Sequence, residues 1–161
     1  MVLMKNKILL ILLIVLLLTG CDTKINQNDD KERVYLDEIY YNEGKQVKVD
    51  SEYLNNLEGT YILFTYNNYC TFKISCDMIF EKFMDKYDID FLSIPFEDFK
   101  NTKFYETIKF GPSIVIIKDG EIIKYLDANS DDDLPRYQDV SAFEEWLDNY
   151  VYFNSRNVKT S

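Results

Sequence analysis

Apolar and polar residues change their spacing several times between positions 50 and 151, and each change predicts a new element. Tyr61 to Tyr66 is a short, continuously apolar run, which is typical of a strand buried on both faces. Apolar residues at helical spacing then predict a helix from about Ser75 to Tyr87, and Asp90 to Ile94 reads as a second strand. A strand, a helix and a strand in this order predict a parallel pair joined by a crossover.

The second half of the pattern predicts a hairpin and a last helix. Ile114 to Ile117 and Ile122 to Leu126 are apolar runs, and the Asp119-Gly120 pair between them is a strong hairpin signal. Ser141 begins a capping-box pattern, so we expect it to cap the last helix. Together these elements predict an α/β protein in which a mixed β-sheet has helices on both faces.

The first residues follow a different pattern, in which two lysines precede a continuous apolar run. Ile8 to Leu18 is too short to span a bilayer comfortably and is typical of a signal-peptide core. The run ends Leu18-Thr19-Gly20-Cys21, which resembles the lipobox of bacterial lipoproteins. The resemblance implies that residues 1–20 are a lipoprotein signal peptide and that lipid on Cys21 anchors the chain to the cell membrane, facing outward. An uncleaved N-terminal anchor helix is the alternative.

The residues after Cys21 predict a tether followed by one domain. Asp22 to Arg33 contains one isoleucine and is otherwise almost wholly polar or charged, so residues 21–33 are expected to be a flexible acidic and polar tether. Residues 34–161 have a length that is usual for one domain, and they are rich in tyrosine, phenylalanine and isoleucine. We therefore expect a single domain with a sizeable core.

Composition excludes several kinds of function. The formal net charge of −10 disfavours nucleic acid as a partner. The sequence contains no histidine, which removes histidine-based catalytic triads and the commonest zinc ligand. Asp127 to Asp133 resembles the start of a calcium loop but lacks the glycine at its sixth position, so a solvated acidic loop is the better interpretation. We expect neither a metal nor another cofactor.

The predicted domain contains two cysteines, Cys70 and Cys76, with five residues between them. Disulfides persist outside the cytoplasm, and with Cys21 lipidated these two are the simplest partners for each other. On one continuous helix the two would lie ~9 Å apart along the axis, whereas a disulfide requires Cα atoms within about 7 Å. A pair therefore requires the helix to begin near Ser75, a credible N-cap. A redox pair, a structural disulfide and two free or buried thiols all stay open as interpretations.

The layout of these elements resembles the thioredoxin-like family. Tyr69-Cys70 follows the first buried strand and precedes the long helix, where the family has its redox motif, although the spacing here is Cys-x5-Cys instead of Cys-x-x-Cys. The stretch FGPSIVIIKDGEIIKYLD is similar to the family's segment in which a cis-proline opens the hairpin, so Pro112 maps to that proline. Gly111 stands where the family more often has a β-branched residue. The resemblance implies a thioredoxin-like three-layer sandwich.

The same resemblance implies a thiol–disulfide oxidoreductase that acts on protein cysteines. Cys70 and Cys76 would be its catalytic residues, and Tyr69, Gly111 and Pro112 would contact the substrate. The family analogy makes Cys70 the nucleophile, whereas the helix dipole favours a thiolate at Cys76, and both assignments stay open. The alternative is a redox-inactive binding or accessory lipoprotein with a protein partner, in which a Cys70–Cys76 disulfide is structural.

Overall fold

The computed structural model of the chain describes residues 33–67 and 75–152. The strands in this part of the chain are β1 (Val34–Tyr35), β2 (Gln46–Lys48), β3 (Thr60–Tyr66), β4 (Phe91–Pro95), β5 (Ser113–Lys118), β6 (Glu121–Tyr125) and β7 (Val151–Tyr152). The helices are α1 (Ser51–Asn56), α2 (Cys76–Tyr87), α3 (Phe96–Phe99) and α4 (Val140–Asp148), with 3-10 turns at Glu38–Tyr40, Lys103–Glu106 and Leu134–Tyr137. None of the described helices has both the length and the apolar character needed to cross a bilayer.

One mixed sheet forms the centre of the fold, with the strand order β2-β4-β3-β5-β6. Strand β4 pairs in parallel with both β2 and β3, whereas β5 is antiparallel to β3 and to β6. The predicted parallel pair and the predicted hairpin are therefore confirmed. Asp119 and Gly120 both have positive φ, which is the backbone conformation that a two-residue hairpin turn of type I′ requires.

Helices cover both faces of this sheet, so the fold has three layers. Side chains of α2 and α4 pack on one face, among them Phe80, Phe83, Phe143 and Leu147 against Ile62, Phe64 and Ile116. The other face is covered by α1 and by the segment after β4, with Leu54, Phe99 and Phe104 against Tyr61, Leu63 and Ile117. Successive residues of β3 thus enter opposite cores, which explains its continuously apolar sequence. This strand order and layering are the thioredoxin-like three-layer sandwich that the sequence predicted.

The last helix begins earlier than the sequence indicated. Its N-cap is Asp139, whose side chain accepts a hydrogen bond of 2.8 Å from the Ala142 backbone N–H. The prediction that Ser141 caps this helix is wrong by two residues. The Asp139 carbonyl also accepts the first intrahelical bond, from Phe143, and a carboxylate at a helix N-terminus is favoured by the dipole.

A second, two-stranded sheet joins the two ends of the described domain. Strands β1 and β7 are parallel, with Val34 opposite Val151 and Tyr35 opposite Tyr152. The two valines are buried, while the two tyrosine rings stack outside with their centroids 4.6 Å apart. Arg33, which the sequence placed in the tether, donates to the Val151 carbonyl at 2.9 Å and pairs with a carboxylate of α4.

Candidate functional site

Cys76 is the first residue of α2, and its side chain has no exposed surface. Ser75 occupies the N-cap position with an extended backbone, so the helix begins where a Cys70–Cys76 pair requires it to begin. The position favours a thiolate, because backbone N–H groups and the helix dipole point towards it. Asp77 acts in the opposite sense, since the Cys76 thiol donates a weak hydrogen bond of 3.8 Å to its Oδ1.

Three of the predicted site residues lie outside the described residues, namely Cys70, Tyr69 and Cys21. The pairing of Cys70 with Cys76, the substrate contact of Tyr69 and the lipidation of Cys21 therefore stay predictions. The described chain nevertheless reaches both ends of the cysteine segment, at Asn67 after β3 and at Ser75 before α2.

The loop that contains Gly111 and Pro112 lies at the edge of the sheet from which the cysteine segment departs. Asn67, three residues before Cys70, donates from Nδ2 to the Gly111 carbonyl at 2.7 Å. The Ser113 N–H donates to the buried Thr65 hydroxyl at 3.1 Å, and the Gly111–Pro112 peptide bond is cis, as the resemblance implied. The fold thus brings Gly111 and Pro112 next to the start of the cysteine segment.

An aromatic side chain packs closely against Gly111. A Cβ at this position would lie 2.6 Å from Cδ2 of Phe96, the first residue of α3. The Phe96 ring is itself held by Phe99, at 5.8 Å between centroids, and by Tyr105, at 6.2 Å. A larger residue at 111 would therefore require this aromatic group to move.

Tyr137 is a buried residue of the site that sequence reasoning missed. Its hydroxyl donates to two backbone carbonyls, of Pro112 at 2.9 Å and of Leu126 at 3.0 Å. Its ring meets that of Phe80 in α2 edge-on, with centroids 5.9 Å apart. Burial is the main cause that raises the pKa of Tyr137 far above its ordinary value, and the negative charge of Asp133 adds to it. Tyr137 therefore links the Pro112 loop to the helix that begins with Cys76.

Exposed apolar side chains occur on both segments that flank the site. Met78, in the first turn of α2, is 48% exposed, and Phe110, directly before Gly111, is 51% exposed. The Phe110 carbonyl accepts a hydrogen bond of 2.7 Å from the Ser113 hydroxyl, which fixes the turn. Aromatic residues and methionine are residue types that are enriched where proteins contact one another.

The acidic loop after β6 uses its carboxylates for its own structure. Asp133 accepts from the Asp127 N–H at 2.8 Å and pairs with Arg136 at 2.7 Å. Asp127 in turn accepts from the Asn129 N–H at 2.9 Å. Within residues 33–67 and 75–152, no group of three or more histidine, cysteine, aspartate or glutamate side chains is placed to hold a metal ion.

Comparison with known proteins gives similarity of fold. No protein-family model matches the chain, and no curated protein sequence matches it. Several solved thioredoxin structures are similar. A thioredoxin variant from Halobacterium salinarum is 14% identical, covering 70% of this chain and 96% of that one with a TM-score of 0.48. Schistosoma mansoni thioredoxin is 16% identical, with 68% and 99% covered and a TM-score of 0.45. Oxidised Plasmodium falciparum thioredoxin is 17% identical, with 67% and 98% covered and a TM-score of 0.46.

Proposed function

We propose that this protein is an outward-facing thiol–disulfide oxidoreductase that is anchored to the membrane through lipid on Cys21 and acts on protein cysteines through Cys70 and Cys76. The observation that carries the proposal is the position of Cys76 at the start of α2, a helix whose Phe80 ring packs against Tyr137, which in turn donates to the Pro112 carbonyl. Asn67 ties the same loop to the start of the cysteine segment. A thiol at a helix N-terminus, on a helix that is connected to the Pro112 loop, is an arrangement suited to thiol exchange.

The burial of Cys76 supports different roles for the two thiols. A sulfur with 0% exposure cannot reach a cysteine in a partner protein, so we assign attack to Cys70 and resolution to Cys76. The Cys70 thiolate attacks a substrate disulfide, forms a mixed disulfide and releases one substrate thiolate. The Cys76 thiolate then attacks the Cys70 sulfur and releases the second substrate thiolate, which leaves Cys70 and Cys76 oxidised as a disulfide. A dithiol protein must reduce the pair again, and the reverse sequence oxidises a substrate dithiol.

The surface around the site supports a protein substrate. Met78 and Phe110 offer apolar contacts on the two flanking segments, and Gly111 and Pro112 lie between Phe110 and the sheet edge. A substrate chain that lies along this loop would place its cysteine near the cysteine segment. The resemblance implies that Tyr69 contributes to the same contact.

A redox-inactive binding lipoprotein is the second candidate, and Asp77 favours it. The Asp77 carboxylate accepts a hydrogen bond from the Cys76 thiol, which stabilises the protonated sulfur and opposes nucleophilic attack. In this case the Cys70–Cys76 disulfide is structural, and the exposed Met78 and Phe110 bind an accessory partner.

The reduction potential of the Cys70–Cys76 pair separates the two candidates. The full chain in detergent is equilibrated in glutathione and dithiothreitol redox buffers, alkylated and measured by mass spectrometry. A potential above about −270 mV is expected for the exchange enzyme, whereas a value well below about −300 mV would establish a structural disulfide. Two thiols that never pair would refute both candidates.

Trapping of mixed disulfides tests the two roles. In Cys76→Ser the attacking thiol has no resolving partner, so a substrate protein should stay covalently bound to Cys70. In Cys70→Ser the same substrate should form no adduct, because Cys76 is buried. The double variant Cys70→Ser/Cys76→Ser supplies the background. Adducts in Cys70→Ser but not in Cys76→Ser would reverse the assignment.

A further inference from the structure

An outward-facing aromatic group lies where the chain enters the domain. The ring of Tyr35, 70% exposed, stacks on the ring of Tyr152 at an interplanar angle of 23°. The guanidinium carbon of Arg33 lies 4.3 Å from the centroid of the Tyr152 ring. The backbone beneath is fixed, because the Tyr41 hydroxyl donates to the Tyr152 carbonyl at 3.0 Å. These three side chains, Arg33, Tyr35 and Tyr152, are called the Tyr35 face below.

Two large apolar side chains of this region are highly exposed. Ile39, 71% exposed, and Tyr35 are the two most exposed large apolar side chains of the described residues. Their Cα atoms lie within about 14 Å of each other, because four residues span no more than that. Tyrosine rings are enriched at the boundary between headgroups and acyl chains, where the ring is buried and the hydroxyl stays in water. The Arg33 guanidinium beside them is already paired with the Asp148 carboxylate, so the contact with lipid rests on the rings and on Ile39.

The length of the chain between Cys21 and Arg33 keeps this region close to the anchor. These twelve residues reach at most about 43 Å when fully extended. That reach limits how far Arg33 can lie from the bilayer, whereas the opposite end of the domain can lie further away by the length of the domain. Tethering also makes the contact intramolecular, so a surface that binds lipid weakly when free becomes largely bound.

We propose that the Tyr35 face, with Ile39 beside it, docks on the outer surface of the bilayer that holds the lipid of Cys21. The proposal rests on the membrane anchoring proposed above and adds the orientation of the domain. The binding is aromatic and apolar, because a chain with a net charge of −10 is repelled by anionic headgroups. Docking is therefore expected to take place on zwitterionic lipid.

This orientation directs the thiol site away from the membrane. Asp37, two residues after Tyr35, exchanges backbone and side-chain hydrogen bonds with Thr60, at the start of β3. The candidate site lies beyond the other end of β3, about 20 Å further along, since a strand rises 3.2–3.4 Å per residue. Docking through the Tyr35 face leaves the Pro112 loop, with its half-exposed Phe110, accessible to other proteins.

Quenching by labelled lipid tests the proposal. The full chain is expressed with its own leader, and the acyl groups on Cys21 are verified by intact mass. Tyr35→Trp and the control Tyr53→Trp are then reconstituted into phosphatidylcholine vesicles that carry a doxyl quencher in the upper acyl chain. Tyr53 is a matched control because it is also exposed, at 48%, and belongs to α1. The buried Trp146 of the unsubstituted chain gives the emission to subtract.

Several-fold stronger quenching at position 35 than at position 53, with emission shifted to the blue, is the expected result. Equal quenching at both positions, or none at 35 in a chain that carries its acyl groups, would refute docking and leave the anchor intact. The latter result would indicate a protein or a second copy of the chain as occupant of the face. A mass without acyl groups would refute the anchor, and the docking proposal with it.

Discussion

Replacement of Tyr137 by phenylalanine removes the hydroxyl that links the Pro112 loop to the rest of the core. The Pro112 and Leu126 carbonyls, 2.9 and 3.0 Å from that oxygen, lose their common donor. Leaving a buried polar group without its hydrogen-bond partner lowers the free energy of unfolding by about 1–3 kcal/mol. One hydroxyl hydrogen is shared between the two acceptors, so the loss is closer to one hydrogen bond than to two. We expect Tyr137→Phe to lower the free energy of unfolding by about 2 kcal/mol.

Urea unfolding followed by tryptophan emission measures this change. Trp146 is the single tryptophan of the sequence and lies in the same buried cluster as Tyr137, so its emission reports the relevant core. Tyr61→Phe is the matched control: Tyr61 is equally buried, but its hydroxyl has no hydrogen-bond partner among the described residues. Removal of that hydroxyl should leave stability unchanged or raise it. Equal losses in the two variants, or a loss below about 0.5 kcal/mol in Tyr137→Phe, would contradict the reasoning.

Three further results are expected. Gly111→Ala should lower the free energy of unfolding by about 1–3 kcal/mol in the same titration, because its Cβ meets Phe96, and Phe96→Leu in the same chain should restore part of it. Asp139→Ala should cost about 1 kcal/mol in thermal unfolding, whereas Ser141→Ala should change stability by less than about 0.5 kcal/mol; the opposite order would restore Ser141 as the cap. Burial raises the pKa of Tyr40 to about 12, above its unfolded value of about 10. The contribution of Tyr40 to the free energy of unfolding should therefore be fully present below pH 10 and should be lost as the pH rises towards 12. Tyr40→Phe should reduce that loss.

Strong local signals explain which elements could be predicted from the sequence. The hairpin follows from Asp119-Gly120, whose positive φ angles few other pairs tolerate, and α2 follows from its helical apolar spacing after Ser75. Strands β1, β2 and β7 have two or three residues each, too few to show an alternation. They form because of their partners in the folded chain, as when Val34 meets Val151. The cap of α4 was mispredicted because two acceptable capping residues stand two positions apart.

The candidate site was predictable only where the residue type itself carries chemistry. Cys76 and Pro112 could be selected because the sequence has few cysteines and prolines. The contacts that assemble the site cross long separations, 44 residues from Asn67 to Gly111 and 25 residues from Tyr137 to Pro112. Tyr137 is one of thirteen tyrosines and lies in a 3-10 turn that has no apolar periodicity. No local signal in the sequence therefore distinguishes it.

The pairing of β1 with β7 constrains the order in which the parts of the domain can form. Val34 and Tyr35 form the first of the described strands, yet the residues opposite them, Val151 and Tyr152, form the last of the described strands. Because a chain is synthesised from its N-terminus, β1 stays without its strand partner until nearly the whole domain has followed it. All five strands of the mixed sheet lie between these two segments, so the sheet can assemble first. A chain cut short before Val151 would keep every strand of the mixed sheet but leave its first strand unpaired.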